Sequence, residues 1–174
     1  GVLVVHQCES QRQWSEHEIR MVSAIADQLA VAIAHAQLFA QVRHQAITDG
    51  LTGLYNDVYF KNRLTEELRT AERKGTPVSL IMIDLDKLKV INDTHGHPVG
   101  DALLKHVSCQ LQMQLRESDL LARIGGEEFA ILLPRVGPDD ALLVGLDLLQ
   151  MLEEPMSIGG IDLDMRLSAA RVLA

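Results

Sequence analysis

Two largely apolar runs, Leu120 to Ile124 and Phe129 to Leu133, are separated by Gly125-Gly126-Glu127-Glu128, and that spacing favours a β-hairpin. Paired glycines between β-type runs mark a tight turn, because glycine takes positive φ without steric cost. A hairpin here commits the middle of the chain to a sheet with antiparallel neighbours. The turn also carries two acids where inert polar residues are usual. Upstream, Val78 to Ile83 reads as a buried strand that closes on Asp84-Leu85-Asp86. Acids at the ends of two neighbouring strands can hold divalent cations, the ions that phosphoryl and nucleotidyl transfer require.

Helical periodicity surrounds this sheet. Ser15 and Glu18 form an S-x-x-E capping box that opens a helix. Apolar residues then recur at Val22, Ile25, Leu29, Ala32, Ala36 and Phe39 in steps of three and four, a coiled-coil-like seam. Thr48 to Leu54 breaks this helix with two glycines. A second helix is expected over Asp57 to Lys74, stopped by Gly75-Thr76-Pro77. Lys87 to Gly100 reads as a polar loop or short helix, and Asp101 to Leu115 as a third helix with Asp101 at a plausible N-cap. A fourth runs from Pro138 to about Leu152. Strands are expected at residues 2 to 7, with a polar turn at Gln11 to Trp14, and two more near Met156 to Ile161 and Leu163 to Leu173.

The 174 residues are 47% hydrophobic and 23% charged, enough for one domain plus a fragment and too apolar for disorder. A formal net charge of −8 argues against general binding to DNA or RNA, which needs a basic face. Cys8 and Cys109 suggest no disulfide framework and fit a reducing compartment, so a cytoplasmic location is expected. No uninterrupted run of eighteen apolar residues and no signal pattern occur, so no membrane segment is expected. The chain reads as a piece cut at both ends.

Four ordered motifs carry a resemblance: Asp49-Gly50-Leu51-Thr52-Gly53-Leu54-Tyr55-Asn56; Asp84-Leu85-Asp86-Lys87-Leu88-Lys89-Val90-Ile91-Asn92-Asp93; Gly96-His97-Pro98-Val99-Gly100-Asp101; and Arg123-Ile124-Gly125-Gly126-Glu127-Glu128-Phe129. Together they resemble the GGDEF family of diguanylate cyclases over about residues 46 to 174. Residues 1 to about 39 are similar to the last strand and helix of a GAF sensor domain. The resemblance implies an α/β fold of the α+β sandwich type, with a palm-like, mostly antiparallel sheet flanked by helices. It divides the chain into a terminal GAF-like strand (1–14), a long linker and dimerisation helix (15–47) and a C-terminally truncated GGDEF domain (48–174).

The implied reaction joins two GTP into cyclic di-GMP with release of two pyrophosphates, in a homodimer driven by the upstream sensor. Two magnesium ions are implied per active site, with manganese as the substitute. Asp84, Glu127 and the Leu85 carbonyl are the implied metal ligands. Lys89 is implied as the lysine that stabilises the phosphate in the transition state. Glu127 is also the implied proton acceptor, with Glu128 or water as alternatives. Asn92 and Asp101 correspond to guanine readers, and His97 and Gly126 to further substrate contacts. Arg116 and Asp119, assisted by Arg123, stand at the position of a site where cyclic di-GMP inhibits its own synthesis.

The chain departs from the pattern in four places. Asp57-Val58 replaces a usual pair of arginines, Leu88 replaces an aromatic, Ser168-Ala169-Ala170 replaces a Ser-Ile-Gly strand motif, and the family's final helix is missing. The alternative reading is therefore a weak or inactive domain that binds GTP or cyclic di-GMP as a receptor. An inert dimerisation fragment is a third.

Overall fold

The computed structural model describes residues 2–6, 13–152, 155–163 and 167–173. It divides into two compact units, residues 1–46 and 47–174.

In the first unit, helix α1 (Glu16–Ile47, its last residue belonging to the second unit) runs for 32 residues, about 48 Å at 1.5 Å per residue. Its capping box forms as expected. The Ser15 amide donates to Glu18 Oε2 at 2.9 Å, and the Glu18 amide donates to Ser15 Oγ at 3.3 Å. No residue of α1 is buried. Ile25, Leu29 and Phe39 of the expected seam stand exposed. By length and composition, with a mean hydropathy of 1.3 in its most apolar stretch, α1 is long and apolar enough to cross a membrane. Asp27, Gln28, His35 and Gln37 interrupt it. Residues 2–6 are not paired into the expected strand. Cys8 and the start of the polar turn at Gln11 lie outside the described residues.

The second unit is built on a five-stranded sheet in the order β1-β3-β4-β2-β7. The strands are β1 (Tyr55–Asn56), β2 (Val78–Leu85), β3 (Leu120–Arg123), β4 (Glu128–Pro134) and β7 (Leu167–Leu173). Only β1–β3 is parallel. Helices α4 (His97–Gln114) and α5 (Pro138–Leu152) share one core with Ile81, Ile83 and Leu85 of β2 and Phe129, Ile131 and Leu133 of β4. On the other face, Phe60 of α2 (Asp57–Lys74) packs with Leu120, Ala122, Ala130 and Leu132. Period-two alternation thus sends each central strand into two separate cores. The palm-like, mostly antiparallel arrangement is the one expected.

Local chemistry explains the element ends. Asn56 caps α2 by accepting the Tyr59 amide at 3.0 Å, and Gly75 closes it at φ 63°, a left-handed conformation in which a Cβ is costly. Three expectations are corrected. The segment after β2 is two helices, α3 (Leu88–His95) and α4, and α4 starts four residues earlier than expected because Gly96 precedes it and Pro98 sits in its first turn. Asp101 is therefore inside the helix and is not its N-cap. Met156 to Ile161 is not one strand. Gly159 and Gly160, both at positive φ, fold β5 (Met156–Ile158) onto β6 (Ile161–Leu163) as a separate hairpin. The third correction concerns the Gly125-Gly126 turn, where neither glycine adopts positive φ.

Candidate active site

Strand pairing brings the acids together. In the β2–β4 register Asp84 stands opposite Glu128, and the Leu85 amide donates to the Glu127 carbonyl at 3.1 Å. Two acid-bearing strand ends are therefore held side by side by the backbone ladder itself. Helix α3 follows directly, entered through Lys87 in a left-handed conformation at φ 67°. This sharp entry lays the first turns of α3 beside the hairpin. Leu88, at the position where the pattern has an aromatic, is buried and anchors the helix.

The result is a cleft of about 510 Å³ lined by Asp84, Leu88, Lys89, Asn92, Asp93, His97, Gly126, Glu127 and Glu128. Six residues expected at the site from sequence are in that lining: Asp84, Lys89, Asn92, His97, Gly126 and Glu127. Leu85 is fully buried, and its side chain belongs to the core beside the cleft. Asp101 is exposed on α4 and is not part of the lining. Glu128, the alternative proton acceptor, also lines the cleft, as does Asp93, which the sequence reading gave no role. Asp93 is one helical turn beyond Lys89 on α3, a spacing that puts both on one face.

Four carboxylates face one lysine and one histidine here, a balance that favours a bound cation. Asp84 Oδ1 is buried and has no hydrogen-bond partner. An orphaned buried carboxylate oxygen is costly, at about 1–3 kcal/mol or more, and a cation would satisfy it. Among the described residues, no three His, Cys, Asp or Glu side chains gather around one point. The carboxylates present suit magnesium, which uses one or two of them and fills its octahedron with water and substrate phosphates.

The glycines of the turn have separate uses. A Cβ on Gly125 would strike the Glu128 carboxylate and lie 3.3 Å from its Cδ, so Gly125 is the seat of the folded-back Glu128. A Cβ on Gly126 would meet nothing within 4 Å. Gly126 presents bare backbone to the cleft, where a phosphate can approach closely.

Arg123 and Asp49 tie the hairpin to the turn at Thr48 to Leu54. Arg123 Nη1 donates to Asp49 Oδ1 at 3.0 Å, and Nη2 donates to the Gly126 carbonyl at 2.7 Å. Asp49 Oδ1 also accepts from the Thr52 amide and hydroxyl at 2.9 and 2.7 Å. Burial alone would raise the Asp49 pKa, but the Thr52 hydrogen bonds and the Arg123 guanidinium outweigh it and hold the carboxyl below its ordinary value. Arg123 is thus engaged at the cleft hairpin. The other two residues expected at the inhibitory site share a turn. Asp119 Oδ2 accepts the Arg116 amide at 3.0 Å, and the Arg116 side chain is exposed.

Residues 46–173 match the family "Diguanylate cyclase, GGDEF domain", and residues 1–33 match the GAF domain family. Diguanylate cyclase TpbB of Pseudomonas aeruginosa is 40% identical over 120 residues, 68% of this chain and 28% of TpbB. Cyclic di-GMP phosphodiesterase NbdA of the same species is 36% identical over 160 residues, 92% of this chain and 20% of NbdA. The chain thus spans less than a third of the length of either relative. Among solved structures, the coiled coil and GGDEF domain of DgcB from Caulobacter crescentus, in complex with c-di-GMP, superposes with a TM-score of 0.79 at 27% identity, covering 87% of this chain and 81% of that one. The TpbB GGDEF domain superposes with a TM-score of 0.68 at 36% identity, covering 72% and 73%. This chain belongs to the diguanylate cyclase GGDEF-domain family and carries part of a GAF domain at its N-terminus.

Proposed function

We propose that the protein condenses two GTP molecules into cyclic di-GMP, as a homodimer whose output is set by an upstream GAF-type sensor. The observation that carries this reading is the convergence of Asp84, Glu127, Lys89, Asn92, His97 and Gly126 on one cleft at the ends of β2 and the β3–β4 hairpin.

The roles follow from the chemistry of each group. Asp84, Glu127 and the Leu85 carbonyl would hold magnesium or manganese. When bound, the metal neutralises charge on the phosphate oxygens and makes the attacking 3′-hydroxyl more acidic. Lys89, on the α3 face of the cleft, balances charge on the phosphate undergoing attack. Bare backbone at Gly126 admits the triphosphate. Asn92 offers a carbonyl oxygen to a guanine N–H, and His97 at the start of α4 borders the same space. Asp101 joins guanine recognition if its side chain turns toward the bound base. Glu127 or Glu128 accepts the hydroxyl proton directly or through water. A single domain holds one such cleft, so joining two nucleotides requires two copies face to face. Arg116 and Asp119 would bind the product and restrain synthesis.

A receptor that binds nucleotide without turnover is the second reading. One observation favours it: NbdA, named as a phosphodiesterase and not as a cyclase, matches this chain over 160 residues. The two readings separate on incubating the complete protein with GTP and magnesium and seeking the cyclic dinucleotide by mass spectrometry. Product appears if the cyclase reading is right. GTP binding without product supports the receptor, and absence of both binding and product removes both readings.

A further inference from the structure

We infer that Gly100 is a specificity-positioning residue, whose missing side chain is the space that holds the Asn92 carboxamide ready for a purine N–H. The inference rests on the nucleotide reading above and names a determinant of base choice within it.

Gly100 is buried within α4, one turn into the helix. Glycine in a helix interior is disfavoured relative to alanine, and the φ of Gly100 is not positive, so backbone freedom gives no reason for it. Its surroundings do. A Cβ built there would collide with Asn92 Oδ1, lie 2.9 Å from Asn92 Cγ and 3.4 Å from Nδ2, and these are its three nearest neighbours. The space is therefore reserved for one side chain on the adjacent helix α3. Alanine would displace the amide at its movable end while leaving the two helix backbones free to stay in place.

Asn92 Oδ1 is also buried and has no hydrogen-bond partner, and the residue lines the cleft. A buried acceptor without a donor is a costly arrangement unless a ligand supplies the donor. Guanine's Watson–Crick edge carries two adjacent N–H donors. Adenine has an acceptor at N1 and no amino group at C2. Displacing the Asn92 amide should therefore weaken guanine nucleotides selectively.

The test compares the unmodified chain with Gly100→Ala, Asn92→Ala and the double variant, using GTP and ATP titration calorimetry in magnesium together with thermal melting. Gly100→Ala is expected to weaken GTP about tenfold while leaving ATP within about twofold. Its melting temperature should not fall, because alanine is the better helix former. Added to Asn92→Ala, it should leave nucleotide binding unchanged, and it should not lower the melting temperature. Retention of the GTP preference by Gly100→Ala overturns the inference, as does an equal loss in the Asn92→Ala background. If Gly100→Ala alone does not fold, a folded double variant supports the coupling and an unfolded one refutes it. An unmodified chain that binds neither nucleotide sinks the underlying reading, a result distinct from the others.

Discussion

Glu127 and Asp49 show how differently two acids can be used within one site. Glu127 lies in the cleft with Asp84, and the role we propose for it is metal binding. Glu127→Ala in the complete protein is accordingly expected to abolish cyclic di-GMP synthesis, with circular dichroism unchanged. Undiminished turnover in a GTP assay would remove it from the metal site. Asp49 is structural: it is paired with Arg123 and bonded to Thr52, so its folded pKa is depressed. A carboxyl with a depressed folded pKa contributes stability above its unfolded value, about 3.9, and loses it as pH falls through the folded value. Urea midpoints taken downward from pH 6 should therefore drop as Asp49 protonates. Asp49→Asn should lack that component of the acid sensitivity, and a pH profile superposable on the parent's would discount the pair. Arg123→Gln should cost about 1–3 kcal/mol, because it leaves both Asp49 and the Gly126 carbonyl short of a donor.

At the scale of elements, legibility in the sequence depended on whether signals were local. Both ends of α2 and the start of α5 were readable closely, since Asp57, Gly75 and Pro138 stand at boundaries where cap and turn chemistry acts within one turn. Gly75→Ala should accordingly destabilise the fold by about 1 kcal/mol in urea melts, because the residue is held at φ 63°. An unchanged midpoint would mean that the helix end can be re-formed without it. The start of α4 carried an equally local signal in Gly96-His97-Pro98, which was outweighed by the appeal of Asp101 as a cap. The strands β1 and β5 have two and three residues, too short for period-two alternation to register, although Gly159-Gly160 marked the second hairpin. Other features were not local at all. The Arg123–Asp49 pair spans 74 positions, and the fit of Asn92 against Gly100 depends on how two helices meet. Six residues named from the motif resemblance fall in the cleft lining, because those motifs stand at the end of β2, in the β3–β4 turn, on α3 and at the start of α4. It could not tell that Gly125 accommodates Glu128, since a clash avoided leaves no trace in periodicity.

For the molecule as a whole, α1 carries more exposed large apolar side chains than any other element among the described residues. Ile25, Leu29 and Phe39 lie exposed along the three-four seam, and Val31, Leu38 and Val42 stand on the opposite side by helical arithmetic. A helix with apolar residues on two sides scores as apolar overall, which is why α1 meets a length-and-hydropathy test for a membrane span. Asp27, Gln28, His35 and Gln37 fall between the stripes. A bilayer would have to desolvate them, whereas a paired helix leaves them in water. Covering the seam with a second α1 would bury apolar area at about 25 cal/mol per Å² and bring two chains together, as joining two GTP requires. Replacing both Ile25 and Leu29 by lysine puts charge into that seam on each chain. Sedimentation equilibrium without detergent should then show monomer where a dimer is expected of the parent. Synthesis of cyclic di-GMP should fall by about tenfold or more at low protein concentration and recover as concentration rises, because the two half-sites must meet. GTP binding per chain should be unchanged, since the cleft is built entirely from residues of the second unit. A parent that sediments as a monomer while making product at a rate proportional to its concentration would refute the dimer, and a parent that dissolves only in detergent would transfer α1 to the membrane.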